Sequence, residues 1–407
     1  MMEILFLAHR IPFPPDRGDK IRSHHILKAL ARLAPVHVGC FADDPADRAS
    51  EGDLAQLATS HLLLDRGKSL ARAGLESLAR GAPLSVTAFH DARMARWVAE
   101  TLRTRPIGAI YLFSGQAGQY VPADFAGRVV ADLVDVDSAK FEAYGANGRG
   151  FRAWMERREG RLLAAEEARI ARRAAATLLV SEAEAALFRA RLADPSCTVR
   201  ALGNGIDSDL YDPAKVAPEP RMAALPGPRL IFTGQMDYAP NIAAVERAIT
   251  RIMPVVRASF PDASLHVVGR NPPSSLVARD GHDGIRVWGR VDDVRPFLAA
   301  ADMALVPLEI ARGVQNKVLE AMSMGLPVVL SPGAATGIPA GQGAFSVADS
   351  DAALAAAVCT LAGDPARAAT MGRNARSWIE ANAGWQAALA SLPGLMGCKP
   401  AGLSDAA

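Results

Sequence analysis

Short, nearly continuous apolar runs alternate with amphipathic stretches of helical period along most of the chain. Runs at Glu3 to His9, Val36 to Phe41, His61 to Leu64, Ala109 to Phe113, Gly127 to Asp135, Thr177 to Val180 and Thr198 to Leu202 predict strands. They do not alternate in polarity, which is the form of parallel strands covered on both faces. Helical patterns lie between them at Ala71 to Arg80, Ala92 to Arg103 and Glu182 to Arg191, the last behind the N-cap Ser181. The opening strand, a proline-bearing loop RIPFPPDRGD, an amphipathic helix and a second strand have the size of a βαβ crossover.

The rhythm stops at the turn cluster Gly203-Asn204-Gly205-Ile206-Asp207 and a stretch with five prolines, DPAKVAPEPRMAALPGP, then starts again. Strands are predicted at Leu230 to Thr233, Ser264 to Val268, Ile285 to Trp288, Met303 to Val306, Pro327 to Leu330 and Ala344 to Val347. Helices are predicted at Asn241 to Ala258, Val291 to Ala300, from about Gly313 to Met324, Asp351 to Ala362 and Pro365 to Ala381. Two domains follow: residues 1–206, a linker at 207–228, and residues 229–375, with a terminal helix over 376–395 crossing back to the first domain. The class is α/β, two doubly wound Rossmann-like domains with an interdomain cleft.

A length of 407 residues agrees with two domains. A formal charge of +2 gives no overall basic field, so a nucleic-acid partner is not expected. Cys40, Cys197, Cys359 and Cys398 have no metal-ligand spacing and read as buried thiols of a reducing compartment. The N-terminal run is too short for a signal peptide and no later run reaches a membrane span, so a cytoplasmic protein is expected. The Arg- and Glu-rich stretch 141–176 reads either as a solvated helix pair laced by ion pairs or as a basic face on anionic lipid, with Phe151 and Trp154 as contacts. The second reading would put the protein at the inner face of the cytoplasmic membrane.

In doubly wound domains ligands bind at the C-terminal ends of the strands, which singles out the loops at 9–20, 234–241, 269–273 and 309–317. None is G-x-G-x-x-G or a Walker loop, which argues against a nicotinamide enzyme or a P-loop ATPase. The loop and helix at 312–320 concentrate Arg312, Gly313, Gln315, Asn316, Lys317 and Glu320, a set suited to phosphate and sugar.

The second half resembles the nucleotide-sugar domain of retaining GT-B glycosyltransferases of family 4. The resemblance rests on Ile231-Phe232-Thr233-Gly234, Leu265-His266-Val267-Val268-Gly269, Trp288-Gly289-Arg290-Val291, Val318-Leu319-Glu320-Ala321-Met322 and Gly325-Leu326-Pro327-Val328-Val329, with Asn204-Gly205-Ile206-Asp207 matching the domain junction. IPFPPDRGDKIRSHHILKAL and GVQNKVLEAM are similar to the sugar transferases of exopolysaccharide and exosortase (PEP-CTERM) systems. The resemblance implies a donor site at Gly234, Gln235, Asn241, Gly269, Arg270, Gly313, Val314, Gln315, Asn316, Lys317 and Glu320, with Glu320 on the donor ribose. It also implies a nucleotide diphosphate sugar as donor, a glycan or lipid-linked glycan as acceptor, and no metal or cofactor.

Two departures stand out. Arg312 occupies the usual position of a carboxylate, and Gln235 with the Pro240-Asn241 pair stands where the family places an Arg and a Lys on the diphosphate. The positive charge is therefore expected on Arg312 and Lys317, with amides near Gly313 to Gln315. His90 is the candidate active-site histidine, with a structural role as the alternative; Arg17, Gly18, Asp19 and Lys20 are candidates for the acceptor. Asp135-Val136-Asp137 mimics a metal motif of another fold and is read as structural. An epimerase or phosphorylase of the same architecture, or a sugar-nucleotide binding protein without turnover, are the alternative functions.

Overall fold

The strands of the first sheet are β1 (Glu3–Ala8), β2 (Val36–Ala42), β3 (Ser60–Asp65), β4 (Ile107–Phe113), β5 (Arg128–Val134), β6 (Ala176–Leu179) and β7 (Val199–Ala201), in the spatial order β3-β2-β1-β4-β5-β6-β7. Every pairing is parallel. The second sheet takes β8 (Arg229–Thr233), β9 (Ser264–Val268), β10 (Ile285–Gly289), β11 (Met303–Val306), β12 (Val328–Leu330) and β13 (Ser346–Val347), in the order β10-β9-β8-β11-β12-β13, again parallel. Each sheet reverses direction of winding once, between β1 and β4 and between β8 and β11, the mark of a doubly wound domain. The computed structural model describes residues 2–15, 17–147, 150–309, 314–336, 338 and 343–398. Met1–Asn204 with Leu389–Ala407 form one unit and Gly205–Ala388 the other.

Burial explains the strand pattern. All seven residues of β2 are buried, and Ile4 to Leu7 of β1 are at most 1% exposed. The Gly18–Ala31 helix is fastened to this sheet by a buried ion pair. Arg22 Nε and Nη2 donate to the Asp132 carboxylate of β5 at 3.0 and 3.1 Å, and Tyr111 adds its hydroxyl at 2.9 Å. The third guanidinium nitrogen reaches Asn204 Oδ1 at 2.9 Å, so the last residue before the chain enters the second unit is tied to the core of the first. The stretch 141–176 falls in a helix pair, Asp137–Asn147 and Gly150–Arg173, laced by Lys140–Asp137, Arg152–Glu156 and Arg169–Glu166. Glu159 and Glu167 of the second of these helices are buried, accepting from Leu84, Ser85 and Ser138. Asp135 and Asp137, the apparent metal motif, both pair with Lys140.

Three boundaries differ from the sequence expectation. Residues 207–228 belong to the second unit, folded into a Pro213–Lys215 turn and a Pro220–Ala223 helix with Met222 fully buried. Their prolines open short helices at the first turn, where a missing N–H costs nothing. The predicted terminal helix is divided: Pro365–Asn382 stays in the second unit, and only Leu392–Met396 lies in the first, where Arg128 Nε meets Leu395 O. The break follows from Ile206, which takes Ala383 O at 2.7 Å and pairs with Gly384. The long helix predicted over 241–258 contains a π turn at Ala248–Ile252 just before Pro254, whose missing N–H breaks the regular ladder.

Candidate functional site

In the second unit, the C-terminal ends of β8 and β9, the loop after β10 and the start of the Asn316–Ser323 helix enclose a cavity of about 660 Å³. Gly234, Gln235, Asn241, Gly269, Arg270, Val314, Gln315, Asn316, Lys317 and Glu320 all line it. Arg312 and Gly313 lie outside the described residues, so the relocated phosphate clamp is represented here by Lys317 alone. Thr233, Tyr238, Arg290 and Asp292 also line the wall and were not singled out from the sequence. Thr233 and Arg290 were legible only as parts of the Ile231-Phe232-Thr233-Gly234 and Trp288-Gly289-Arg290-Val291 motifs.

The glycines make the wall. A Cβ on Gly269 would stand 1.6 Å from Gly234 O, so the two strand ends touch through their backbones. Gly234 has φ +149°, and a Cβ there would meet Asn241 Nδ2 at 2.9 Å and Lys317 Nζ at 3.0 Å. Lys317 Nζ donates to Asn241 Oδ1 at 2.5 Å and lies 4.4 Å above the Phe232 ring. Burial pushes its ammonium down to about 8, opposed by the field of Glu320. The Glu320 carboxyl is raised by burial, held back by a hydrogen bond from the Tyr211 hydroxyl and by the charge of Lys317. Tyr211 is fixed in turn: its carbonyl accepts from Arg376 Nη1 at 3.0 Å and from Ser323 Oγ at 3.1 Å. Sequence reasoning missed Tyr211 because it sits in what looked like linker. Arg270 and Arg290 are exposed on the cavity wall. The site thus offers a half-buried carboxylate, three cations and a helix N-terminus, the groups a ribose and a diphosphate require.

The first unit distributes its candidates differently. Lys20 is 1% exposed, ion-paired with buried Asp47 and bonded to Phe13 O, so its charge holds the N-terminal loop and cannot meet an acceptor. Arg17 turns to the same carboxylate and to Asp44. Burial would raise Asp19, but hydrogen bonds from His9 and Arg10 hold it far below the usual carboxylate range. Gly18 opens its helix with open space around the Cβ position. His90 lines a second cavity, of about 380 Å³, with Phe89, Lys68, Arg80 and Arg93, where burial and then the two cations Arg80 and Lys68 lower its pKa. Ser114 and Val134, at the ends of β4 and β5, hold φ of 70° and 68°, local strain at the edge where such sheets bind ligands.

Residues 227–364 match the family model described as Glycosyl transferases group 1. A GDP-mannose-dependent monoacylated alpha-(1-6)-phosphatidylinositol monomannoside mannosyltransferase of Corynebacterium glutamicum is 30% identical over 210 residues, 46% of this chain and 53% of that one. The match therefore spans about half the length of that curated relative. Among solved structures, HepE of Anabaena in complex with UDP superposes with a TM-score of 0.61 at 16% identity, over 98% of this chain and 100% of that one. Sucrose-phosphate synthase of Thermosynechococcus elongatus gives 0.57 at 18% identity, over 97% and 98%. Residues 227–364 thus match the group 1 glycosyl transferase model, in a chain whose two Rossmann-like units have the GT-B fold.

Proposed function

We propose that the chain is a metal-independent, retaining glycosyltransferase that moves a sugar from a nucleotide diphosphate to a hydroxyl of a glycan or lipid-linked glycan. The observation that carries this reading is the convergence of Glu320, the Lys317–Asn241 pair, Arg270 and Arg290 on one cavity of the group 1 domain. Breaking a glycosyl–phosphate bond builds negative charge on the leaving diphosphate and oxocarbenium character on the sugar. Fixed cations and aligned amides stabilise the first without a metal, and Glu320 accepts hydrogen bonds from the ribose hydroxyls. In this reading Arg312 adds a further phosphate contact, and His90 and the strained ends of β4 and β5 belong to acceptor handling by the first unit.

The relatives' names support both halves of the reaction. One names GDP-mannose and a phosphatidylinositol mannoside, and HepE is solved with UDP and with UDP-glucose. An exopolysaccharide or other cell-surface glycan is the proposed product, on the cytoplasmic side of the membrane. Thermal unfolding with GDP-mannose, UDP-glucose and the free diphosphates tests the donor half, since a ligand at ~100 times its Kd stabilises by ~2.7 kcal/mol. Stabilisation by one nucleotide sugar, followed by transfer of its labelled sugar to a lipid or glycan fraction, is the expected result. No stabilisation by any of them refutes the reading.

A further inference from the structure

The 660 Å³ cavity of the second unit is basic, yet one residue of its wall runs against that charge. Arg270, Arg290 and Lys317 suit a diphosphate, and Glu320 is held by the Tyr211 hydroxyl where a ribose would meet it. Asp292, in the loop after β10, is the other carboxylate on the wall. It is exposed, and its side chain makes no ion pair or hydrogen bond among the described residues. Its neighbour Asp293 is used differently: its carboxylate accepts from Arg295 N at 2.9 Å and pairs with the Arg295 guanidinium at 2.7 Å. An unpaired carboxylate in a site for a diphosphate repels the ligand, unless the ligand brings hydrogen-bond donors to it.

Position decides which part of the donor meets Asp292. Arg295 Nη1 donates to Leu210 O at 3.1 Å, which fastens the loop after β10 beside Tyr211 and so beside Glu320. A ribose on Glu320 therefore brings its base to this loop, while the diphosphate extends toward Lys317 and the wall glycines. Val291 and Val294 of the loop, with Val268 at the end of β9, supply apolar surface for a planar base. Guanine carries N1–H and N2–H2 side by side, a pair that one carboxylate accepts with both oxygens. Uracil sets a single N–H between two carbonyl oxygens, and adenine and cytosine set a ring acceptor beside the amino group. Each of these would turn a lone pair toward Asp292. We propose that Asp292 selects a guanosine diphosphate sugar as donor, by accepting hydrogen bonds from guanine N1–H and N2–H2. The inference rests on the donor reading of this cavity and adds the identity of the base to it.

Isothermal titration of the full chain with GDP, IDP, UDP and ADP tests it, IDP being GDP without the N2 amino group. GDP should bind about tenfold or more tightly than the other three, because a site built to hydrogen-bond a ligand group rejects analogues that lack it. Asp292→Ala should lower GDP affinity about tenfold or more and leave UDP affinity equal or higher, since the repulsion between carboxylate and diphosphate goes with it. A residue with a merely structural role would not move the two nucleotides apart. The melting temperature of the variant should match the parent, Asp292 being exposed. Equal affinity of the parent for GDP and IDP, a preference for UDP or ADP, GDP affinity unchanged in Asp292→Ala, or an equal loss of all four nucleotides there would each overturn the role of Asp292 and leave the transferase reading standing. Binding of none of the four by the parent would refute the donor reading itself, and the inference with it.

Discussion

Lys317 Nζ donates a 2.5 Å hydrogen bond to Asn241 Oδ1, joining the start of one helix to the start of another across the second-unit cavity. Burial has already brought its pKa down to about 8. The bound diphosphate favours the charged form, so donor binding takes up a proton near that pH. Donor affinity should therefore be constant below pH 8 and fall as pH rises above it, by up to ~10-fold per unit. Lys317→Met should weaken binding and flatten the profile. Isothermal titration on either side of pH 8 checks this, and a flat parent profile refutes it. The same burial acts on folding with the opposite sense: the unfolded chain binds this proton more tightly, so stability rises with pH between about 8 and the ordinary lysine range.

Tyr211 is expected to position Glu320. Its hydroxyl favours the ionised carboxylate that burial disfavours. Tyr211→Phe removes one hydrogen bond to a charged group, worth about 1.5–3 kcal/mol, and should weaken donor binding 10-fold or more. Because the carboxyl pKa rises further in the variant, the loss should grow as pH falls toward the acidic range. A variant whose donor affinity shows the parent's pH dependence would rule this role out.

The two wall glycines should separate binding from folding. Gly234→Ala pushes a methyl group against Asn241 and Lys317, flexible side chains at the site, at a backbone angle that disfavours side chains. It should cost donor affinity while leaving the melting temperature within a few degrees. Gly269→Ala drives a methyl group into the Gly234 carbonyl and should destabilise the second unit by several kcal/mol. Thermal melts and donor titrations of both variants distinguish the two effects.

Buried charge in the first unit should be structural. Asp132→Ala leaves Arg22 buried without its carboxylate and should cost ~3–5 kcal/mol of stability. Lys20→Met, which takes the buried ammonium from Asp47 and leaves it the 3.6 Å contact with Arg17, should lower stability as well while leaving the acceptor KM unchanged. A Lys20→Met protein that melts like the parent but binds acceptor poorly would restore Lys20 to the acceptor site.

The sequence by itself determined the layout. Parallel strands are covered on both faces, so each appears as a local apolar run, and the switch from strand to loop to helix recurs wherever the sheet needs a crossover. The same periodicity placed Gly234, Gly269 and the 314–320 segment at strand or helix ends, where ligand loops must lie. Which charges are free was decided only by the tertiary structure. Lys20 and Lys317 look alike in the sequence, each in a polar loop entering a helix, yet one is sealed against Asp47 and the other stands over Phe232 in a cavity wall. Tyr211 meets Glu320, and Arg22 meets Asp132, across spans of chain that no local pattern reports. Local periodicity encodes burial, which each residue carries in its own side chain. Partner choice depends on distant residues brought close by folding, so it became visible only once the chain was folded.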